Sequence, residues 1–121
     1  MSITILTVDD SRTMRDMLKV ALTEAGYRVV QAVDGLHGLE VLLQEAPRVI
    51  ITDINMPKLD GFGFIERVRE DQRFLGVPIL VLTTESSAEK KNVARRAGAT
   101  GWIVKPFDSV KLVDVVRRVA A

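Results

Sequence analysis

The chain has 121 residues, of which 47% are hydrophobic, so its length and composition suit one folded domain with a real core. A formal net charge of +1 gives no overall field that would recruit nucleic acid or an anionic membrane, and the absence of cysteine excludes disulfides, thiolate metal sites and cysteine nucleophiles. Because the longest apolar runs are of strand length and no signal peptide is evident, we expect a cytoplasmic protein without a membrane span.

Short apolar runs alternate with amphipathic stretches five times along the chain. The first run, residues 3–8, predicts a strand that ends at Asp9 and Asp10. A helix follows, with Ser11 as its expected N-cap and Gly26 as its expected stop. Its apolar residues recur at helical spacing: Met14, Met17, Leu18, Ala21, Leu22 and Ala25.

The second and third strand–helix pairs follow the same pattern. Residues 27–32 predict the second strand, and residues 49–52 predict a third strand that ends at Asp53. One side of the helix between them carries Leu36, Leu39 and Leu43. The helix that starts after Asp60-Gly61 is expected to bury Phe62, Ile65 and Val68.

The last two pairs contain the helix that we expect to be the most weakly docked. Residues 79–82 predict a strand that ends at Thr83, and residues 102–104 predict one that ends at Lys105. Between them, a helix over about residues 88–97 offers only one valine and small alanines for burial, so it should move most easily. The fifth helix carries Val110, Val113, Val116 and Val119 at helical spacing.

This alternation predicts an α/β fold with a doubly wound parallel sheet and right-handed crossovers, although it does not set the strand order. In such a sheet the carboxyl ends of the strands meet at one edge, where ligands bind. Asp9, Asp10 and Asp53 would gather there, and crowded carboxylates repel one another unless a hard cation such as Mg²⁺ joins them. Thr83 and Lys105 add a hydroxyl and an ammonium, and the whole set suits a phosphoryl group.

The same residues also allow simpler interpretations. Taken alone, Asp9 and Asp10 are typical of a solvated turn that caps a helix, and the metal hypothesis depends on Asp53 and Lys105 lying at matching strand ends. Thr84 is an alternative to its neighbour Thr83 as the source of the hydroxyl. A flavodoxin would be an alternative with a bound cofactor, but Asp9 and Asp10 would repel the phosphate of FMN.

Four segments at successive strand ends carry a family resemblance. They are Asp9-Asp10-Ser11-Arg12, Asp53-Ile54-Asn55-Met56-Pro57 followed by Asp60-Gly61, Thr83-Thr84-Glu85, and Gly98-Ala99 leading to Lys105-Pro106-Phe107. Each segment is weak evidence, but in this order they resemble the response-regulator receiver domain, and most closely its single-domain chemotaxis form. The resemblance covers essentially the whole chain and implies one receiver domain over residues 1–121. It also implies five helices around a flavodoxin-like (CheY-like) sheet of order 2-1-3-4-5.

The resemblance implies how a phosphoryl group would be handled. Asp53 would be the phosphoacceptor and would attack a phosphohistidine of a sensor histidine kinase. Lys105 would pair with Asp53 at rest and with a phosphoryl oxygen afterwards, through an ammonium that a cis Lys105–Pro106 bond would aim inward. Thr83 would donate its hydroxyl to another phosphoryl oxygen.

It also implies a Mg²⁺ cofactor. Asp10 would bind the ion directly and Asp9 directly or through a water, while Asp53 would contribute its carboxylate and Asn55 its backbone carbonyl.

Other positions would tune the rate or carry the signal. Asn55, Thr84 and Glu85 would control access to the phosphoryl group, and Thr84 stands where receiver domains often have alanine. Trp102 stands where tyrosine or phenylalanine is common, and together with Thr83 it would form the switch.

The implied function is a non-enzymatic signalling switch that catalyses only its own phosphorylation and dephosphorylation. Its output face would be formed by the fourth helix, the fifth strand and the fifth helix, and its target would be a protein such as a flagellar motor switch component. A phosphatase is a further candidate partner, and a monomer is expected. Two alternatives remain open: a stand-alone shuttle or sink for phosphoryl groups, and a small aspartyl-phosphate hydrolase of the haloacid-dehalogenase type. That hydrolase family usually has an acid two residues after its nucleophile, where this chain has Asn55.

Overall fold

The structure is a computed structural model, and it describes residues 2–121. Within these residues the chain forms five strands, five α-helices and one short 3₁₀ turn, which confirms the predicted alternation. In chain order the elements are β1 Thr4–Val8, α1 Arg12–Glu24, β2 Arg28–Ala32, α2 Gly35–Glu45, β3 Val49–Thr52, α3 Gly61–Glu70, the 3₁₀ turn Gln72–Phe74, β4 Ile79–Thr83, α4 Ala88–Ala97, β5 Gly101–Val104 and α5 Ser109–Ala120.

The five strands form one parallel sheet in the order β2-β1-β3-β4-β5, which confirms the doubly wound α/β fold and the implied strand order. One core lies between the sheet and α2, α3 and α4, and a second lies between the sheet and α1 and α5. Helices therefore cover both faces. This explains why β3 and β4 are apolar and buried along nearly their whole length instead of alternating with polar residues.

Each α-helix starts at a side chain that accepts a backbone N–H from the first turn, as expected of Ser and Asp at N-caps. The five caps are Ser11, Asp34, Asp60, Ser87 and Asp108. The predicted stop of α1 is also confirmed, because Gly26 has a φ of 95°, which a glycine adopts without strain. The caps determine where each helix starts near the carboxyl edge of the sheet, and Gly26 ends α1 near the amino edge, where β2 begins.

The buried sides of the helices agree only in part with their periodicity, since Ile65 and Val68 of α3 are buried as predicted and other predicted residues are not. In α2, Leu36 and Leu43 are exposed, at 43% and 58%, and Val41 and Leu42 are buried instead. In α3, Phe64 fills the core and Phe62 only borders it. In α2 this difference arises because the helix packs closely against α3. Gly38 lies against the ring of Phe64, so the side of α2 that carries Gly38 faces the core.

In α5 the buried stripe is Leu112, Val116 and Ala120, while Val110 is 79% exposed. In α1, Leu18 and Leu22 fill the core as predicted, and Met17 at the edge of the same face is half-exposed. Both helices carry two adjacent apolar stripes in sequence. The orientation in which each helix docks on the sheet selects one of them, and periodicity alone cannot tell them apart.

The predicted weak anchoring of α4 agrees with its packing. The helix spans Ala88–Ala97 as expected, and Ala94 is its one fully buried residue, with Val93 only partly buried. Little apolar area therefore holds α4 on the sheet. Among residues 2–121, no helix has both the length and the apolar character needed to cross a membrane.

Candidate functional site

The carboxyl edge of the sheet gathers the three predicted carboxylates. Asp9 and Asp10 follow β1, and Asp53 follows the neighbouring strand β3, where its N–H donates to the carbonyl of Val8 at 2.9 Å. Each of the three acids offers an oxygen within 4.8 Å of the others. Asp9 and Asp53 are buried and Asp10 is exposed, so the cluster opens to solvent at Asp10.

Lys105 follows β5 and reaches across the edge to two of these acids. Its Nζ donates to Asp9 Oδ2 at 3.0 Å and to Asp53 Oδ2 at 2.8 Å, and its side chain is only 11% exposed. Burial opposes its charge, but the hydrogen bonds from the ammonium to Asp53 and Asp9 prevail and hold the pKa of Lys105 above its ordinary 10.5. The ammonium is therefore a fixed positive group within the acidic cluster. The Lys105–Pro106 peptide bond is cis.

Asp9 is a buried carboxylate with partners on both oxygens. Its Oδ1 accepts the N–H of Ser11 at 2.9 Å. Burial nevertheless raises the pKa of Asp9 above 3.8, against the opposing effects of Ser11 and Lys105, and the neighbouring charge of Asp53 raises it further. Three carboxylates against one ammonium leave a surplus that a divalent cation would neutralise, and an all-oxygen set suits Mg²⁺. The cluster can therefore hold a metal of this kind.

The two candidate hydroxyls differ in environment. Thr83 is fully buried at the end of β4, where its Oγ1 accepts the N–H of Glu85 at 3.4 Å, and Thr84 is exposed. The register pairs Thr83 with Val104, directly before Lys105. The structure therefore brings Thr83 to the same edge as the ammonium, while Thr84 lies at the surface.

Glu85 joins several of the predicted residues to one another. Its carboxylate accepts Asn55 Nδ2 at 3.2 Å and pairs with Lys90 Nζ of α4 at 2.9 Å. Its backbone carbonyl accepts Trp102 Nε1 at 3.0 Å, and its N–H binds the Thr83 hydroxyl. The ion pair with Lys90, followed by the bond from Asn55, lowers the pKa of Glu85 below 4.5.

Two contacts of the site were missed from the sequence. Lys90 forms an ion pair with Glu85 at 2.9 Å that ties α4 to the loop after β4. Arg15 of α1 donates to the backbone carbonyl of Asp9 at 2.7 Å and so braces the loop that carries the acids. Neither contact has a signal in the sequence, because each joins a surface residue to a loop whose path depends on the fold.

A parallel doubly wound sheet with a lysine-bridged acidic cluster at its carboxyl edge is suited to holding a phosphoryl group. The model of the response regulator receiver domain matches residues 5–117, and the chain belongs to this family. Receiver domains of two-component systems are regulators that interact with histidine kinases and downstream targets and bind Mg²⁺ at an acidic pocket.

Three relatives show where within the family the chain lies. The chemotaxis protein CheY1 of Helicobacter pylori is 42% identical over 105 residues, which cover 85% of each chain. The structure of the chemotaxis response regulator CheY4 of Vibrio cholerae superimposes with a TM-score of 0.93 at 43% identity and covers 98% of this chain and 99% of that one. These similarities support a chemotaxis-type regulator.

The third relative is much longer. The transcriptional regulator RpaA of Synechocystis is 37% identical over 113 residues, which span 93% of this chain and 47% of that protein. This similarity concerns less than half of RpaA.

Proposed function

We propose that Asp53 is the phosphoacceptor of this receiver domain, which would span residues 1–121. The observation that carries the proposal is the position of its carboxylate, which accepts Lys105 at 2.8 Å and lies within the acidic cluster at the sheet edge. A carboxylate oxygen of Asp53 would attack the phosphorus of a phosphohistidine on a sensor kinase. The P–N bond would break, the imidazole would keep the electron pair and take up a proton, and an acyl phosphate would form.

The residues around Asp53 would prepare and then hold the phosphoryl group. Asp9, Asp10 and Asp53 would bind Mg²⁺ with the backbone carbonyl of Asn55, and the bound ion would neutralise charge on the transferring group. Lys105 would move from the Asp53 carboxylate to a phosphoryl oxygen. The activity would be limited to the protein's own phosphorylation and the hydrolysis that reverses it.

Phosphorylation would alter the output face through the contacts of Glu85. The Thr83 hydroxyl accepts the Glu85 N–H at rest, and turning it toward a phosphoryl oxygen would break that bond. The Glu85 carbonyl holds the Trp102 indole, and the Glu85 carboxylate holds Lys90 on the weakly anchored α4. A change at Thr83 would therefore reach both elements of a two-state switch. Asn55, Thr84 and Glu85 would set how easily water reaches the phosphoryl group.

The output face would consist of α4, β5 and α5. Two basic residues of this face line grooves with Trp102, Lys91 on the side of α4 and Lys111 on the side of α5, and they suit a partner segment with acidic and apolar residues. Arg117 lies instead beside Ala21 and Glu24 of α1, outside this face. We propose a cytoplasmic monomer that receives its phosphoryl group from a CheA-like kinase and binds a target such as a flagellar motor switch component. A phosphatase would be a further partner.

Phosphorylation from a small donor tests the assignment of Asp53. With Mg²⁺ and acetyl phosphate, intact mass should show one added phosphoryl group, which Asp53→Asn should lose and the exposed control Asp16→Asn should retain. Equal labelling of Asp53→Asn would contradict the assignment. A receiver that takes phosphoryl groups from acetyl phosphate and loses them by hydrolysis also releases phosphate repeatedly, so only turnover of a phosphate monoester such as p-nitrophenyl phosphate would support the hydrolase alternative.

Fluorescence tests the switch, because Trp102 is the only tryptophan. Beryllofluoride with Mg²⁺ should change its emission in the wild type, and the change should be absent in Asp53→Asn and reduced in Thr83→Ala. Thr84→Ala is the matched control and should respond like the wild type. Unchanged emission and unchanged acrylamide quenching in the wild type would show that Trp102 is fixed.

A further inference from the structure

The first residue of α2 is in direct backbone contact with the loop that joins β3 to α3. The N–H of Gly35 donates to the carbonyl of Leu59 at 3.1 Å. A Cβ built on Gly35 would lie 2.3 Å from that oxygen and 2.8 Å from the Cβ of Leu59. Gly35 is buried, whereas Leu59 is only partly buried between the exposed Lys58 and Asp60, so the loop is the partner that would move. Any larger residue at position 35 would displace the loop.

This loop has a backbone shape that needs support. Leu59 N–H donates to Pro57 O at 2.8 Å and closes a three-residue turn, and Lys58 at its centre has a φ of 69°. A non-glycine residue in the left-handed region is uncommon, and such turns persist where neighbouring structure holds them. The contact with Gly35 supplies that support on one side of the loop.

The carboxyl end of the loop, at Gly61, is in contact with the backbone of Asp53, the proposed phosphoacceptor. Gly61 N–H donates to Ile54 O at 2.8 Å, and a Cβ on Gly61 would lie 2.2 Å from the backbone oxygen of Asp53. Gly61 therefore closes the loop of residues 54–60 onto the Asp53 peptide, and Gly35 supports the same loop at Leu59. Asn55 lies within this segment.

We propose that Gly35 is a positioning residue for the metal site, because it holds the 54–60 loop and with it the Asn55 backbone carbonyl. This inference rests on the proposed function, which assigns that carbonyl to Mg²⁺. An ordinary carbon–oxygen contact is about 3.3 Å, so a Cβ at position 35 would push the loop by about 1 Å. Metal–ligand distances tolerate only about 0.2 Å, so a shift of that size that reached Asn55 would move its carbonyl out of ligand range.

Substitution of Gly35 tests the proposal directly. Calorimetric titration of the full chain with Mg²⁺ should show about tenfold weaker binding in Gly35→Ala, the size of effect that residues supporting metal ligands usually have. Gly76→Ala is the control and should bind like the wild type, since a Cβ there meets nothing within 4 Å. The Mg²⁺ concentration for half-maximal phosphorylation by acetyl phosphate should rise by the same factor, with the rate at saturating Mg²⁺ unchanged. Wild-type affinity in Gly35→Ala would overturn the proposal.

A measurement on the wild type keeps the test valid should Gly35→Ala not fold. Coupling between two sites is reciprocal, so bound Mg²⁺ must strengthen the Gly35–Leu59 bond if that bond favours Mg²⁺. Amide exchange of Gly35, followed by NMR, should slow on saturation with Mg²⁺ while that of Gly76 stays constant. An unchanged Gly35 rate would overturn the proposal.

Mg²⁺ binding by a second variant distinguishes an error in the role of Gly35 from an error in the proposed metal ligands. Asp10→Ala should also weaken Mg²⁺ binding. If Asp10→Ala binds Mg²⁺ like the wild type, the proposed ligand set is wrong, and the positioning role falls with it. If Asp10→Ala binds weakly and Gly35→Ala binds normally, only the role of Gly35 is wrong.

Discussion

Replacement of Lys105 by methionine removes the one positive group inside the acidic cluster and keeps most of the side-chain volume. The Lys105 Nζ binds Asp9 Oδ2 and Asp53 Oδ2, and the three side chains are 11%, 3% and 10% exposed. After the substitution, two nearly buried carboxylates face each other without a cation. We expect the folded protein to lose stability in metal-free buffer.

The expected size of this loss follows from the burial of the pair. Removal of one partner from a buried ion pair typically lowers the free energy of unfolding by about 3 kcal/mol or more, because an uncompensated charge remains. With an unfolding entropy of about 2.1 cal/mol/K per residue, a loss of about 3 kcal/mol lowers the Tm of a chain of this length by about 12 °C. Exposed lysines contribute far less, so Lys19→Met should stay within about 0.5 kcal/mol of the wild type.

Measurements with and without Mg²⁺ distinguish the loss of the positive charge from a loss of side-chain packing. The ion would join the same carboxylates, and without the ammonium it should bind them more tightly. A ligand at ten times its Kd stabilises the folded state by about 1.4 kcal/mol, so the deficit of Lys105→Met should shrink in Mg²⁺. Urea unfolding of the wild type, Lys105→Met and Lys19→Met in EDTA and in Mg²⁺ measures this. The reasoning is refuted if Lys105→Met matches Lys19→Met in EDTA, or if its deficit is the same in both buffers.

Three further predictions concern other parts of the molecule. Asp10→Ala should be at least as stable as the wild type in EDTA because it relieves carboxylate repulsion, and a lower Tm there would contradict this. Thr7→Val should raise the free energy of unfolding by about 1 kcal/mol, since the Thr7 hydroxyl is buried without a hydrogen-bond partner; a loss in urea unfolding would count against it. The pKa of Glu85 is lowered by Lys90, so its contribution to stability is present above pH 4.5 and disappears as pH falls through the lowered value. Glu85→Gln should therefore be less stable than the wild type at pH 7, and the two should converge at low pH; a difference independent of pH would argue against the ion pair.

The strands and the residues at their ends could be predicted from the sequence. A central strand of a parallel sheet is covered on both faces, so it forms a continuous apolar run whose end is marked by the first polar residue. Asp9, Asp53, Thr83 and Lys105 were all found in this way, and the structure places all four at one edge of the sheet. Their chemical roles stay predictions.

The sides on which helices bury their residues could be predicted only in part, since Ile65 and Val68 are buried as predicted and Leu36 is exposed. Periodicity describes one helix by itself, and α2 and α5 each carry more apolar residues than one stripe holds. The docking of each helix against the sheet decides between neighbouring stripes. Val110 is thereby exposed, and Leu112 is buried.

By itself the sequence determined the five strand–helix units and the polar residues that end four of the strands, because hydrophobic periodicity and helix caps act over a few residues. The strand order was known only through the family resemblance. Tertiary structure alone decided the contacts between distant segments, such as those of Glu85 with Lys90 and Trp102 and that of Gly35 with Leu59. These contacts depend on the paths of loops, and a loop's path is set by the elements packed against it rather than by its own residues.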